Sequence, residues 1–109
     1  MPCKRYSVVV IASFHDEATE DIYHDNPSKA ARSIPQDLWR RARRLLDYLN
    51  AARHLGQLNA VPGANLEKLK GQLKDYWSIR INIQYRILFK YDEKTAQASG
   101  VRISKHYAK

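Results

Sequence analysis

A single cysteine, Cys3, occurs in the whole chain. An internal disulfide and a cysteine-based structural zinc site are therefore both excluded, and a reducing, cytoplasmic setting is the expectation. Long apolar runs are missing too. The best candidate near the start, Val8-Val9-Val10-Ile11-Ala12, stops at Ser13. That is far short of the ~18 residues a membrane-spanning helix needs, and no small-residue cleavage site follows it, so it reads as a strand from Tyr6 to Ala12 rather than a secretion signal. Glycine and proline number four each. No Gly/Ser linker, low-complexity tract or repeat divides the 109 residues, so one domain over 1–109 is expected. Familiar catalytic devices are absent as well: no Gly-rich phosphate loop, His-Glu-x-x-His, paired-cysteine knuckle or nucleophile elbow occurs. The four histidines, His15, His24, His54 and His106, are scattered without metal-ligand spacing. Neither a metal nor a cofactor is expected.

Acids are the other scarcity. Nineteen Lys and Arg stand against eleven Asp and Glu, for a net charge of +8. Five of those acids (Asp16, Glu17, Glu20, Asp21 and Asp25) fall in one early stretch, leaving six against seventeen basic residues from Lys29 onward. A body this basic favours polyanions: nucleic acid, an anionic surface or an acidic protein partner. The hydrophobic share of 44% is ordinary for a packed domain, which argues against wholesale disorder.

Periodicity supplies the elements. Phe14, Ala18 and Ile22 repeat at i, i+4 and i+8, predicting a short helix within Ser13 to Asp25 whose early acids suit a helix N-terminus. Asp25-Asn26-Pro27-Ser28 reads as a turn. A longer helix is predicted over Pro35 to Arg53, with Leu38, Ala42, Leu45, Leu46, Leu49 and Ala52 on one stripe. Ser33 and Gln36 have capping-box spacing, and Gly56 suits a C-terminal stop. Arg40, Arg41, Arg43 and Arg44 would line its outer face, with Asp37 and Asp47 placed for helical ion pairs.

The period then becomes two. Trp77, Ile79 and Ile81 alternate with Tyr76, Ser78 and Arg80. After the Asn82-Ile83-Gln84 connection, Tyr85, Ile87, Phe89 and Tyr91 alternate with Arg86, Leu88 and Lys90. Asp92-Glu93-Lys94 reads as a turn before a last strand around Ala98 to Ser104. The fold class is therefore α+β: a first strand, then two N-terminal helices packed on an antiparallel sheet. With the apolar set against the helices, Arg80, Arg86 and Lys90 project from the open face, where Lys68 or Lys70 and Arg102 are placed to join them. Such a face, carrying Tyr76 as well, suits a phosphate backbone. It equally suits a sheet that charge keeps soluble and unaggregated.

Several linked segments resemble one known group. Leu66-Glu67-Lys68-Leu69-Lys70-Gly71, Tyr76-Trp77-Ser78-Ile79-Arg80-Ile81-Asn82 and Gln84-Tyr85-Arg86-Ile87 are similar to the HigB group of the RelE/ParE toxin superfamily, the toxins of type II toxin–antitoxin systems. The pattern there runs Leu-Glu-x-Leu-Lys-Gly, then Tyr-Ser-Ile-Arg-Ile-Asn, then Gln-Trp-Arg-Ile. Ser13-Phe14 with Asp16 and Thr19, Ile34-Pro35, Leu49-Asn50-Ala51-Ala52 and Pro62-Gly63 also resemble that group, so the likeness covers nearly the whole chain in order.

The resemblance implies a RelE-like fold and a metal-independent endoribonuclease that cuts messenger RNA on the ribosome and so inhibits translation. It implies Arg86 as the stabiliser of the phosphorane and Lys70 at the scissile phosphate. Arg80 is the implied RNA contact, beside Lys68, Lys90, Arg102 and Lys105 from the basic face. The implied partners are a HigA-like helix-turn-helix antitoxin, the ribosome and mRNA, with operator DNA bound only through the antitoxin complex. Two departures stand out. The group's tail is Asp-Tyr-His, whereas here Lys105-His106-Tyr107 replaces the acid and reverses the rings, leaving His106 and Tyr107 as the tail's catalytic candidates. Glu67 stands where some relatives carry a histidine. Two alternatives stay open: a protein-binding toxin without nuclease activity, as in the gyrase-inhibiting ParE toxins, and a plain nucleic-acid-binding module.

Overall fold

The computed structural model describes residues 9–105. Its order of elements is β1 (Val10–Ile11), α1 (Glu17–Tyr23), α2 (Trp39–Leu49), β2 (Glu67–Lys68), β3 (Tyr76–Arg80), β4 (Tyr85–Asp92) and β5 (Gln97–Lys105), with short 3-10 turns between. Among the described residues the strands form one sheet in the order β1-β5-β4-β3-β2. The α+β class stands, but the sheet is mixed rather than antiparallel, because β1 runs parallel to β5. The first three residues of the strand expected over Tyr6 to Ala12 lie outside the described residues, and the strand itself is Val10–Ile11. A pair of residues carries no pattern from which direction can be read.

Local chemistry sets the helix ends. Asp16 is extended and its side chain accepts the Thr19 N–H at 2.9 Å, with Glu17 and Glu20 in the first turn. The second helix is shorter than its apolar stripe suggests. Ile34 precedes a proline, which pushes it out of helical space to φ −106, ψ 133. The chain therefore enters through a separate 3-10 turn, Gln36–Leu38, and the Ser33–Gln36 capping box does not form. Ser33 instead donates to the Ala30 carbonyl. At the other end the helix stops at Leu49, well before Gly56, which lies inside the 3-10 helix Leu55–Ala60. The Asn50 side chain accepts the Ile11 N–H at 2.8 Å and the Ala52 carbonyl accepts that of Val9. The Val9 and Ile11 donors are thus covered by the segment that follows α2.

Ala42, Leu45, Leu46 and Leu49 of α2 pack with Ile22 of α1 against Ile79, Ile87, Phe89, Val101 and Ile103 of the sheet. Trp77 lies opposite Phe89 and Ile79 opposite Ile87, so the predicted alternation holds through β3 and β4. The arginines of α2 make fewer helical pairs than expected. Arg41 donates to the Ile81 carbonyl at 2.7 Å, and Arg43 reaches the Ile22 carbonyl and Asp25. They tie the helix to α1 and to loops rather than to its own acids. No described helix is long and apolar enough to cross a membrane.

Candidate functional site

Register fixes what shares the sheet face away from the helices. Glu67 lies opposite Ser78, Ser78 opposite Leu88, and Leu88 opposite Arg102. One row along, Arg80 lies opposite Arg86 and Arg86 opposite Ser104. On the other side, Tyr76 lies opposite Lys90 and Lys90 opposite Ser99. Residues directly opposite in an antiparallel pair project to the same side. These rows alternate with the core residues, so they occupy the far face. A bulge between Leu88 and Lys90 makes the last pairing possible: Gly100 adopts φ 60, a left-handed value that suits glycine, and its N–H donates to the Ser13 hydroxyl at 2.9 Å.

The face is more closed than an open basic sheet. Leu88 is buried at 1% exposure and Leu69 at 9%, although neither joins the helix-facing core. Ser78 is fully buried, and its hydroxyl oxygen has no hydrogen-bond partner among the described residues. The same holds for the Nε atoms of Arg86 and Arg102. All three unpartnered atoms belong to residues of this one face.

Its cations differ in their company. Arg86 is mostly covered, and its Nη2 lies 3.1 Å from Oε1 of Glu67, whose side chain is 58% exposed. A carboxylate oxygen therefore takes the donor that a phosphate oxygen takes in a guanidinium–phosphate contact. Lys90 and Arg102 instead rest against an aromatic ring. Lys90 Nζ is 5.4 Å from the Tyr76 centroid and the Arg102 guanidinium carbon is 5.9 Å from it, both within cation–π range. Arg80 is exposed opposite Arg86.

Of the residues singled out from sequence, Arg80, Arg86, Lys90 and Arg102 come together. Others do not join them. Lys68 lies opposite Trp77, on the helix-facing side, with its ammonium 5.6 Å from that ring. Lys105 pairs with Tyr85, again on the side opposite Arg86. Lys70 is exposed just beyond β2, where the turn Gly71–Leu73 begins, and lies outside the paired register that fixes this face. His106 and Tyr107 lie outside the described residues. The pairing of Glu67 with Arg86 is what sequence reading missed. Opposite charges nineteen residues apart give no signal until β2 is known to lie along β3.

A family model described as the RelE-like toxin of type II toxin–antitoxin system HigB matches residues 12–106. The chain belongs to the HigB-like toxin family. Within that family it is similar to Toxin HigB-1 of Vibrio cholerae serotype O1, at 37% identity over 83 residues, covering 76% of this chain and 85% of that protein. It is also 36% identical over 70 residues to an uncharacterized protein of Haemophilus influenzae, covering 64% of this chain and 65% of that one. As a RelE-like toxin of a type II system, this HigB-like protein has an antitoxin as its implied partner.

Proposed function

We propose that this HigB-like toxin stops translation by cutting messenger RNA held in the ribosome, with the face built on β3, β4 and β5 as its RNA site. The observation that carries the reading is the placement of Arg80, Arg86, Lys90 and Arg102 on one side of adjacent strands. A ribose 2′-hydroxyl attacks the adjacent phosphorus, the bond to the 5′ oxygen breaks, and the products are a cyclic phosphate and a free 5′-hydroxyl. The chemistry needs a proton acceptor, a donor for the leaving oxygen, and cations for the crowded phosphorane. Arg86 serves the phosphorane with its fork of N–H groups. Lys70 contacts the scissile phosphate or assists proton transfer, and His106 and Tyr107 are the candidates for the remaining proton steps.

The Glu67 pair does not stand against this reading. A pair with one well-exposed partner contributes only about 0–1 kcal/mol, so a phosphate held by several neighbouring cations displaces the carboxylate. A HigA-like antitoxin then restrains the toxin in the cytoplasm, and operator DNA is engaged only by the complex.

Purified protein, ribosomes and a defined mRNA test the proposal. Cleavage is expected, and Arg86→Ala lowers its rate on the order of 10²–10³, the usual loss when one stabiliser of transition-state charge is removed. Intact mRNA together with gyrase inhibition would instead identify a protein-binding toxin. Salt-sensitive nucleic-acid binding without growth arrest on induction would identify a simple binding module.

A further inference from the structure

The strongest unexplained arrangement on the molecule is the pair of cations on Tyr76. Among the described residues the side-chain ion pairs are Arg43–Asp25 and Arg86–Glu67. Lys90 and Arg102 therefore share one ring with no carboxylate between them. Their cross-strand neighbours are Tyr76 and Ser99 for Lys90, and Leu88 for Arg102, none of them acidic. Like charges gathered this way repel, and an anion lying between them relieves the repulsion. The floor beneath them has unmet polar capacity, since the fully buried Ser78 hydroxyl and the Arg102 Nε, in the same cross-strand row, have no partner among the described residues. Leu88 gives that floor an apolar centre, and Tyr76 stays partly exposed.

Arg86 stands diagonally from Arg102, since Arg86 faces Ser104 and Leu88 faces Arg102. Diagonal neighbours of this kind are about 7–8 Å apart, so a strand of RNA laid across the face meets both in turn. Arg86 is already balanced by Glu67, while the Tyr76 pair is not. We propose that Tyr76, Lys90 and Arg102 form a second phosphate subsite, which holds the nucleotide flanking the cleaved linkage and contributes affinity more than rate. The ring favours RNA over an acidic peptide, because an aromatic face beside two cations accepts a stacked base as well as its phosphate. This inference rests on the proposal that the face binds RNA.

The test is equilibrium binding of a short single-stranded RNA methylated at every 2′ oxygen, which cannot be cut by 2′-hydroxyl attack. It is run across a salt series beside the ribosomal cleavage assay. Lys90→Gln and Arg102→Gln are each expected to weaken binding about tenfold and to reduce the slope of log affinity on log salt by about 0.7, the value for one lost phosphate contact on a single strand. Tyr76→Phe keeps binding and Tyr76→Leu weakens it, with thermal unfolding checking that each variant is folded. In the cleavage assay Arg102→Gln raises KM by more than it lowers kcat, whereas Arg86→Ala acts mainly on kcat.

Unchanged affinity and slope in Lys90→Gln and Arg102→Gln overturn the subsite, even if ribosomal mRNA is cut. No binding of the RNA by the wild-type chain overturns it too. Wild-type binding with the expected slope changes, but no cleavage, leaves the subsite standing and removes the nuclease. Variants that lose the antitoxin while keeping the RNA assign the surface to the partner and overturn the inference.

Discussion

Arg86 has a buried stem, an Nε with no partner among the described residues and a terminal nitrogen on an exposed carboxylate. That combination makes Glu67 a competitor for whatever anion the arginine serves. Glu67→Gln is expected to change folding stability by about 1 kcal/mol or less and to tighten binding of single-stranded RNA. Thermal unfolding and a binding isotherm check the two halves, and weaker RNA binding would mean that the carboxylate takes part in holding the RNA. Two tyrosines carry a separate prediction. Burial, then the nearby Asp47 carboxylate, holds the Tyr23 hydroxyl above its ordinary 10.0, and burial with Glu93 and Asp92 does the same to Tyr91. The folded chain therefore keeps these protons more tightly than the unfolded one. Their contribution to stability is intact below pH 10.0 and falls as pH rises through the raised folded values. Tyr23→Phe should show a shallower alkaline loss of stability in denaturant titrations; an identical loss would contradict the assignment.

At the scale of elements, much was legible wherever a pattern ran for several residues. Alternation through Tyr76–Arg80 and Tyr85–Asp92 gives both faces of the two long strands correctly, and the leucine stripe gives the buried side of α2. Two-residue strands defeat the same logic. The phase of β2 is set by its pairing with β3 and by Asn59 accepting the Leu66 N–H at 3.0 Å, so Lys68 falls on the unexpected side. The parallel run of β1 is fixed by contacts to Ala96 and Ala98, far along the chain. Helix α1 also has a task beyond its apolar stripe. The fully buried Thr19 hydroxyl accepts the Ile103 N–H at 2.8 Å, joining the helix to β5. Thr19→Val keeps the shape but strands that N–H, and should cost about 1–3 kcal/mol in chemical denaturation. A loss near zero would mean that water replaces the hydroxyl.

For the molecule as a whole, the distribution of charge and the fold converge on one surface. The acids of residues 16–25 lie in and around α1, while Arg80, Arg86, Lys90 and Arg102 of β3, β4 and β5 share the far side of the sheet. A face of this charge attracts polyanions, and RNA is the one that the proposed function assigns to it. Whether the surface performs cleavage is tested most directly by mapping the 5′ ends of cellular transcripts shortly after the chain is induced without its antitoxin. New ends within translated regions are expected for the wild-type chain, and none for Arg86→Ala at equal protein level. Growth arrest by the wild-type chain with an unchanged set of 5′ ends would contradict the account.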